Sequence, residues 1–99
     1  SGAQAVDEQG NIVGKGDVVA QTEQVFKNLG KVLAAAGASF ADVARIVIYL
    51  RDMQHRSAIA PVRERVFGAN RPASTLVAVS GLSHPDSLIE IEAVAYLGD

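Results

Sequence analysis

Two glutamates, Glu90 and Glu92, stand two residues apart inside the otherwise apolar run 88–97. In an extended chain alternate side chains project from one face, which puts their Cα atoms about 6.5–7 Å apart on a common surface. A bare carboxylate is costly to bury, so such a face must reach water, a partner residue or a subunit interface. One reading is catalytic: partial burial raises a carboxyl pKa, and the group can then transfer protons or orient a water near neutral pH. The other is a solvated sheet face, or acids paired with Arg45 or Arg51 on a neighbouring strand.

Upstream, Asn70-Arg71-Pro72-Ala73-Ser74-Thr75 supplies a guanidinium, two hydroxyls and free amides at the entry to a strand. That combination suits the grip of a small carboxylate, and is equally an ordinary loop. His84, in the loop before the last strand, is a base or a surface residue. Ser1-Gly2 offers backbone donors and is equally compatible with a remnant of tag removal. No serine sits in a nucleophile-elbow pattern, and Gly14-Lys15-Gly16 lacks the other glycines of a phosphate-binding loop.

These residues are carried by a chain of 99, with 48% hydrophobic residues, 9 Lys+Arg against 11 Asp+Glu, two histidines and no cysteine. The length implies one domain, residues 1–99, burying about 60–65% of its unfolded surface, where self-association is a natural supplement to a small core. Without cysteine there is no disulfide, thiol nucleophile or thiolate zinc site, and the histidines lack the spacing of a helical metal pair. A net charge of −2 with scattered basic residues argues against a nucleic-acid or anionic-membrane partner. No apolar run approaches the roughly 18–20 residues of a membrane span, and the N-terminus has no signal-peptide pattern, so a cytoplasmic location is expected.

The positioning elements follow from periodicity. Residues 1–6 are strand-compatible and end at the turn residues 7–11. Asp17 is placed to cap a helix in which Val18, Thr22, Val25, Phe26, Leu29, Val32, Leu33 and Ala36 recur at three- and four-residue steps, closed by Gly37. Ser39 and Asp42 form a capping-box pattern over one helical turn. Residues 43–50 are apolar on both alternate sets, as in a strand covered on both faces. A second helix is predicted over 57–67, with Pro61 accommodated near its first turn. Strands are predicted over 73–79, with Thr75 and Val77 on one face and Ser74 and Leu76 on the other, and over 88–97. The order strand, helix, strand, helix, strand, strand indicates helices on one face of a mixed sheet.

Read together, Ser1-Gly2, Gly10-Asn11-Ile12-Val13, Gln21-Thr22 to Asn28-Leu29, Ala35-Ala36-Gly37-Ala38-Ser39, Asp42-Val43, residues 47–53, Arg71-Pro72-Ala73-Ser74-Thr75 and residues 89–95 resemble, in order and spacing, the Rid family (reactive intermediate deaminases, RidA/YjgF, formerly endoribonuclease L-PSP). The resemblance implies an α+β, chorismate-mutase-like fold and a homotrimer with a central barrel and clefts between subunits. It implies hydrolysis of enamines and imines to keto compounds and ammonia, with no metal or organic cofactor. Glu90 matches the glutamate associated with the water. Gly2, Arg71, Ser74 and Thr75 are the matching candidates for holding a small carboxylate- or carbonyl-bearing metabolite. The family's carboxylate-binding arginine falls on Ser74, and an asparagine of its pocket wall falls on Ala60, which places the chain in an arginine-lacking branch. The family normally continues before Ser1 with further strand residues. The alternatives are a non-catalytic metabolite-binding or chaperone-like trimer and, less supported by this acidic composition, an endoribonuclease or translation inhibitor.

Overall fold

In the computed structural model of this chain residues 2–97 are described; Ser1, assigned to the first strand above, lies outside them. The first helix, α1 (Val18–Ala35), starts where the extended Asp17 turns its carboxylate onto the free amide of Ala20, at 3.1 Å. It stops in a Schellman arrangement. Gly37 takes φ +77°, its N–H donates to Ala34 O and the N–H of Ala38 donates to Leu33 O.

The sheet is built from β1 (Gly2–Ala3), β2 (Val43–Leu50), β3 (Ala73–Ala78) and β4 (Ile89–Ala95), in the order β1-β4-β2-β3. Only β2 and β3 run parallel, joined by a crossover through α2 (Arg56–Phe67); β4 is antiparallel to both of its neighbours. The capping box at Ser39 forms one 3-10 turn ahead of β2, with the Asp42 carboxylate accepting the Ser39 N–H at 2.8 Å.

One face of the sheet is the core. Ile46, Ile48 and Leu50 of β2 and Ile89 and Ile91 of β4 are fully buried, packed with Val25, Phe26 and Leu29 of α1 and Ile59 and Val62 of α2. Phe26, Phe40 and Phe67 meet edge to face with ring centres 5.6–6.0 Å apart, closing the seam between the helices. The opposite face carries Val47, Tyr49, Glu90 and Glu92, all half-buried, and Val94, which is exposed. The prediction of two covered faces for β2 is therefore met on one side only within a single chain.

Three local expectations change. The first strand is two residues long, followed by an isolated bridge between Val6 and Ile12. Val32 and Ala36 are exposed although they share the helical period, because Val32 borders an open groove beside Gly2 and Ala3 instead of the sheet. The second helix begins at Arg56, after a 3-10 turn over Met53–His55, so Pro61 is its sixth residue and not part of the first turn. The ring there removes the amide that would donate to Ser57 O, a loss tolerated on the exposed side of the helix.

One buried polar residue ties the layers together. Gln21, fully inaccessible, donates from Nε2 to Gly14 O (3.2 Å) and Asp86 O (3.0 Å) and accepts the Leu88 N–H at 2.8 Å. It thereby fixes the loop that enters β4. Among the described residues no helix is long and apolar enough to cross a membrane.

Candidate active site

β4 presents both glutamates on the uncovered face, and its neighbours give them different surroundings. Across the sheet Glu90 faces Tyr49 and Glu92 faces Val47, while Gly2 of β1 lies opposite Glu92. The Tyr49 hydroxyl donates to Glu92. Its pKa is held above the ordinary tyrosine value, first by burial, then by the negative charge and hydrogen bond of Glu92 and the charge of Glu90, with Arg45 opposing. Among the described residues neither glutamate forms an ion pair, and the Arg51 guanidinium donates instead to Pro85 O at 2.7 Å. The alternative of acids neutralised by Arg45 or Arg51 is not realised.

Glu90 opens into a groove of about 650 Å³ lined by Gly2, Gln4, Val6, Ser83, His84 and Glu90 itself. Gln4 Nε2 donates to Glu90 Oε1 at 3.1 Å and also to Ser83 Oγ. The backbone of this segment is held from α1, where Asn28 Nδ2 donates to the carbonyls of Gln4 (3.0 Å) and Val6 (2.9 Å). The carboxylate comes close to the backbone at position 2: a Cβ there would stand 2.8 Å from Glu90 Oε2, so a larger residue would displace the end of the Glu90 side chain. His84 Nδ1 accepts the Asp86 N–H at 3.1 Å, which leaves the proton of its neutral ring on Nε2. Among the described residues no cluster of three His, Cys, Asp or Glu side chains is arranged to hold a metal ion.

A second cavity of about 370 Å³ lies between α2 and β3, with Arg56, Arg63, Arg71 and Ser74 around an apolar floor that includes Phe67 and Leu76. Ser74 pairs with the buried Ile46 and so points to the helix side, whereas Thr75 pairs with Val47 on the uncovered face and lines neither cavity. The five residues singled out by sequence thus divide within one chain. Gly2 and Glu90 share the groove, Arg71 and Ser74 share the second cavity, and Thr75 stands apart.

Gln4, Ser83, Arg56 and Arg63 were missed by the sequence reading. Gln4 had a signal, being two residues from Gly2 and so on its face of a strand whose next residue, Ala5, is buried. Arg56 and Arg63 had one too, being seven residues apart, two turns along one helix face.

The Tyr49–Glu92 contact makes a prediction. In a Y96F background Tyr49 is the remaining tyrosine of the two in the sequence. Absorbance titration at 295 nm should show it ionising above the usual pH of about 10, and E92Q should bring that value down. Because the folded pKa is the higher one, any associated stability is complete below pH about 10 and is lost as the pH rises through the folded value. An unchanged titration in E92Q would contradict the contact.

The family model described as Endoribonuclease L-PSP matches residues 1–97. A RutC family protein of Pyrococcus horikoshii is 46% identical over 87 residues, covering 88% of this chain and 68% of that protein. The 3-aminoacrylate deaminase RutC of Acinetobacter baylyi is 41% identical over 97 residues, covering 98% of this chain and 76% of the relative. Among solved structures, YyfB of Yersinia pestis, a protein of unknown function in the Rid family, superposes with a TM-score of 0.89 at 40% identity, over 98% of this chain and 75% of that one.

Proposed function

Since the chain belongs to the endoribonuclease L-PSP (Rid/YjgF) family of Rid-like deaminases and has its chorismate-mutase-like fold, we propose that it hydrolyses small 2-imino and enamine acids, with Glu90 as the proton-transferring group. The observation that carries this reading is a carboxylate held by one amide donor in an open groove, with no ion-pair partner among the described residues. Glu90 accepts a proton as water adds to the imine carbon. That proton passes to nitrogen to give the neutral aminol; Glu90 then takes the aminol's hydroxyl proton and returns it to nitrogen as the C–N bond breaks, so that ammonia leaves and the carbonyl forms. An enamine enters the same route after protonation at carbon. The step needs an anchored substrate, a held water and a proton acceptor, functions these side chains can supply.

In this reading the protein works as a homotrimer. The uncovered faces bearing Val47, Tyr49 and Val94 turn inward to form the central barrel, which suits a half-apolar surface left open in one chain. The Glu90 groove of one subunit then joins the Arg71 and Ser74 cavity of another. The Gly2 backbone and the Ser74 hydroxyl hold the substrate from the sides and Arg71 supplies the charge that Ser74 lacks, while Thr75, on the opposite face of β3, stands on the barrel side.

Ser74 also favours a second reading. A hydroxyl does not reproduce a bidentate guanidinium, and the same cleft without turnover is a metabolite-binding trimer. The two separate on one experiment. Imine freshly released by an amino-acid oxidase and trapped with semicarbazide should disappear faster in proportion to added protein. No acceleration over the spontaneous rate, together with thermal stabilisation by keto acids, would leave binding alone.

A further inference from the structure

The cavity between α2 and β3 is more basic than the binding of one carboxylate requires. Arg56, Arg63 and Arg71 line it against a single acid, Glu64. Glu64 is 3.9 Å from Arg71, and both side chains are largely exposed, so their mutual neutralisation is loose. Three guanidiniums against one carboxylate leave two positive charges facing the cavity. Elsewhere on the same helix the pattern is different: Arg65, outside the cavity, is paired with Glu23 at 2.9 Å. Arg56 and Arg63 have no ion pair and no side-chain hydrogen bond among the described residues.

The helix geometry places these two groups for a shared ligand. They stand seven positions apart, about 10.5 Å along one face; of the two residues between them on that side, Ile59 turns into the core and Ala60 has no side chain beyond Cβ. Facing them, β3 contributes the Ser74 hydroxyl, and Phe67 and Leu76 give an apolar floor for a short carbon chain.

We propose that this cavity takes a small organic dianion, an acid bearing a second anionic group beyond the carboxylate of the simplest imino acids, with Arg56 and Arg63 holding that second group by charge-assisted hydrogen bonds. The proposal names the substrate class of the reading above and rests on it for the position of the reacting carbon, but the binding itself needs neither Glu90 nor turnover.

The test is calorimetric titration of the intact protein with 2-oxoglutarate, with the monoanion 2-oxobutyrate and with inorganic phosphate. At least one dianion should bind ten times more tightly than 2-oxobutyrate or better, and which one does so identifies the second acid group. R56Q and R63Q should each reduce that preference at least fivefold and leave 2-oxobutyrate binding unchanged; circular dichroism checks that both variants are folded. Equal affinities for all three probes, or a dianion preference that survives R56Q and R63Q, would overturn the proposal. The outcome is separable from that of the imine assay. Turnover of monocarboxylic imines without dianion preference sinks this inference and keeps the deaminase, whereas arginine-dependent dianion binding without turnover does the reverse.

Discussion

Gln21→Leu is expected to lower stability by about 3 kcal/mol or more, a large share of the roughly 5–15 kcal/mol that holds a domain together. Leucine fills most of the volume, so the loss is one of hydrogen bonding. The glutamine amide serves three backbone groups, Gly14 O, Asp86 O and Leu88 N–H, and is itself fully buried. Each such group left without a partner and away from water costs about 1–3 kcal/mol. Urea unfolding should show a lower midpoint at an unchanged slope, as for a stability change without a change in compactness. A shift equivalent to less than about 1 kcal/mol would mean that water replaces the amide and that Gln21 does not secure the loop. Asp86 and Leu88 lead directly into the strand that carries Glu90, so the same substitution should also loosen the groove.

The contrast between Gln21 and its neighbours on α1 explains where a sequence can be read and where it cannot. Val18, Thr22, Val25, Phe26, Leu29 and Leu33 announce the buried strip by spacing alone, and Asp17 and Gly37 mark its ends, because capping and amphipathic periodicity act within a few residues. Gln21 lies on the same strip, but its partners include Asp86 and Leu88, more than sixty positions away. Nothing in local pattern encodes that pairing. Pro61 was misplaced for a related reason: the 3-10 turn at Met53–His55 carries the helix start upstream, and the proline then falls on an exposed side where its missing donor is tolerated.

At the candidate site the period of two was enough to put Glu90 and Glu92 on one face. It was not enough to separate their surroundings, which depend on Tyr49 lying across from one strand and Gln4 arriving beyond another. The division of Gly2 and Glu90 from Arg71 and Ser74 was likewise invisible. In strand order two strands, β4 and β2, lie between β1 and β3, whereas in sequence the residues of β3 come well before Glu90.

Glu90→Gln bears on the account most directly. Glutamine keeps the length and shape of the side chain and a hydrogen bond with Gln4, but it cannot accept the proton that water must lose on adding to the imine. General base contributions run to about 10²–10⁴-fold, so imine hydrolysis should fall at least about a hundredfold in kcat/KM. Glu90 is only half-buried, and the melting temperature should change little. The measurement is the protein-dependent rate of imine loss for the parent chain and for E90Q, each verified as folded, at equal concentration in the same semicarbazide-trapped assay. The account predicts a clear acceleration over the spontaneous rate for the parent and its near-complete loss in the variant. Equal rates for the two proteins would contradict the assignment of Glu90, and no acceleration by the parent would contradict the hydrolysis itself.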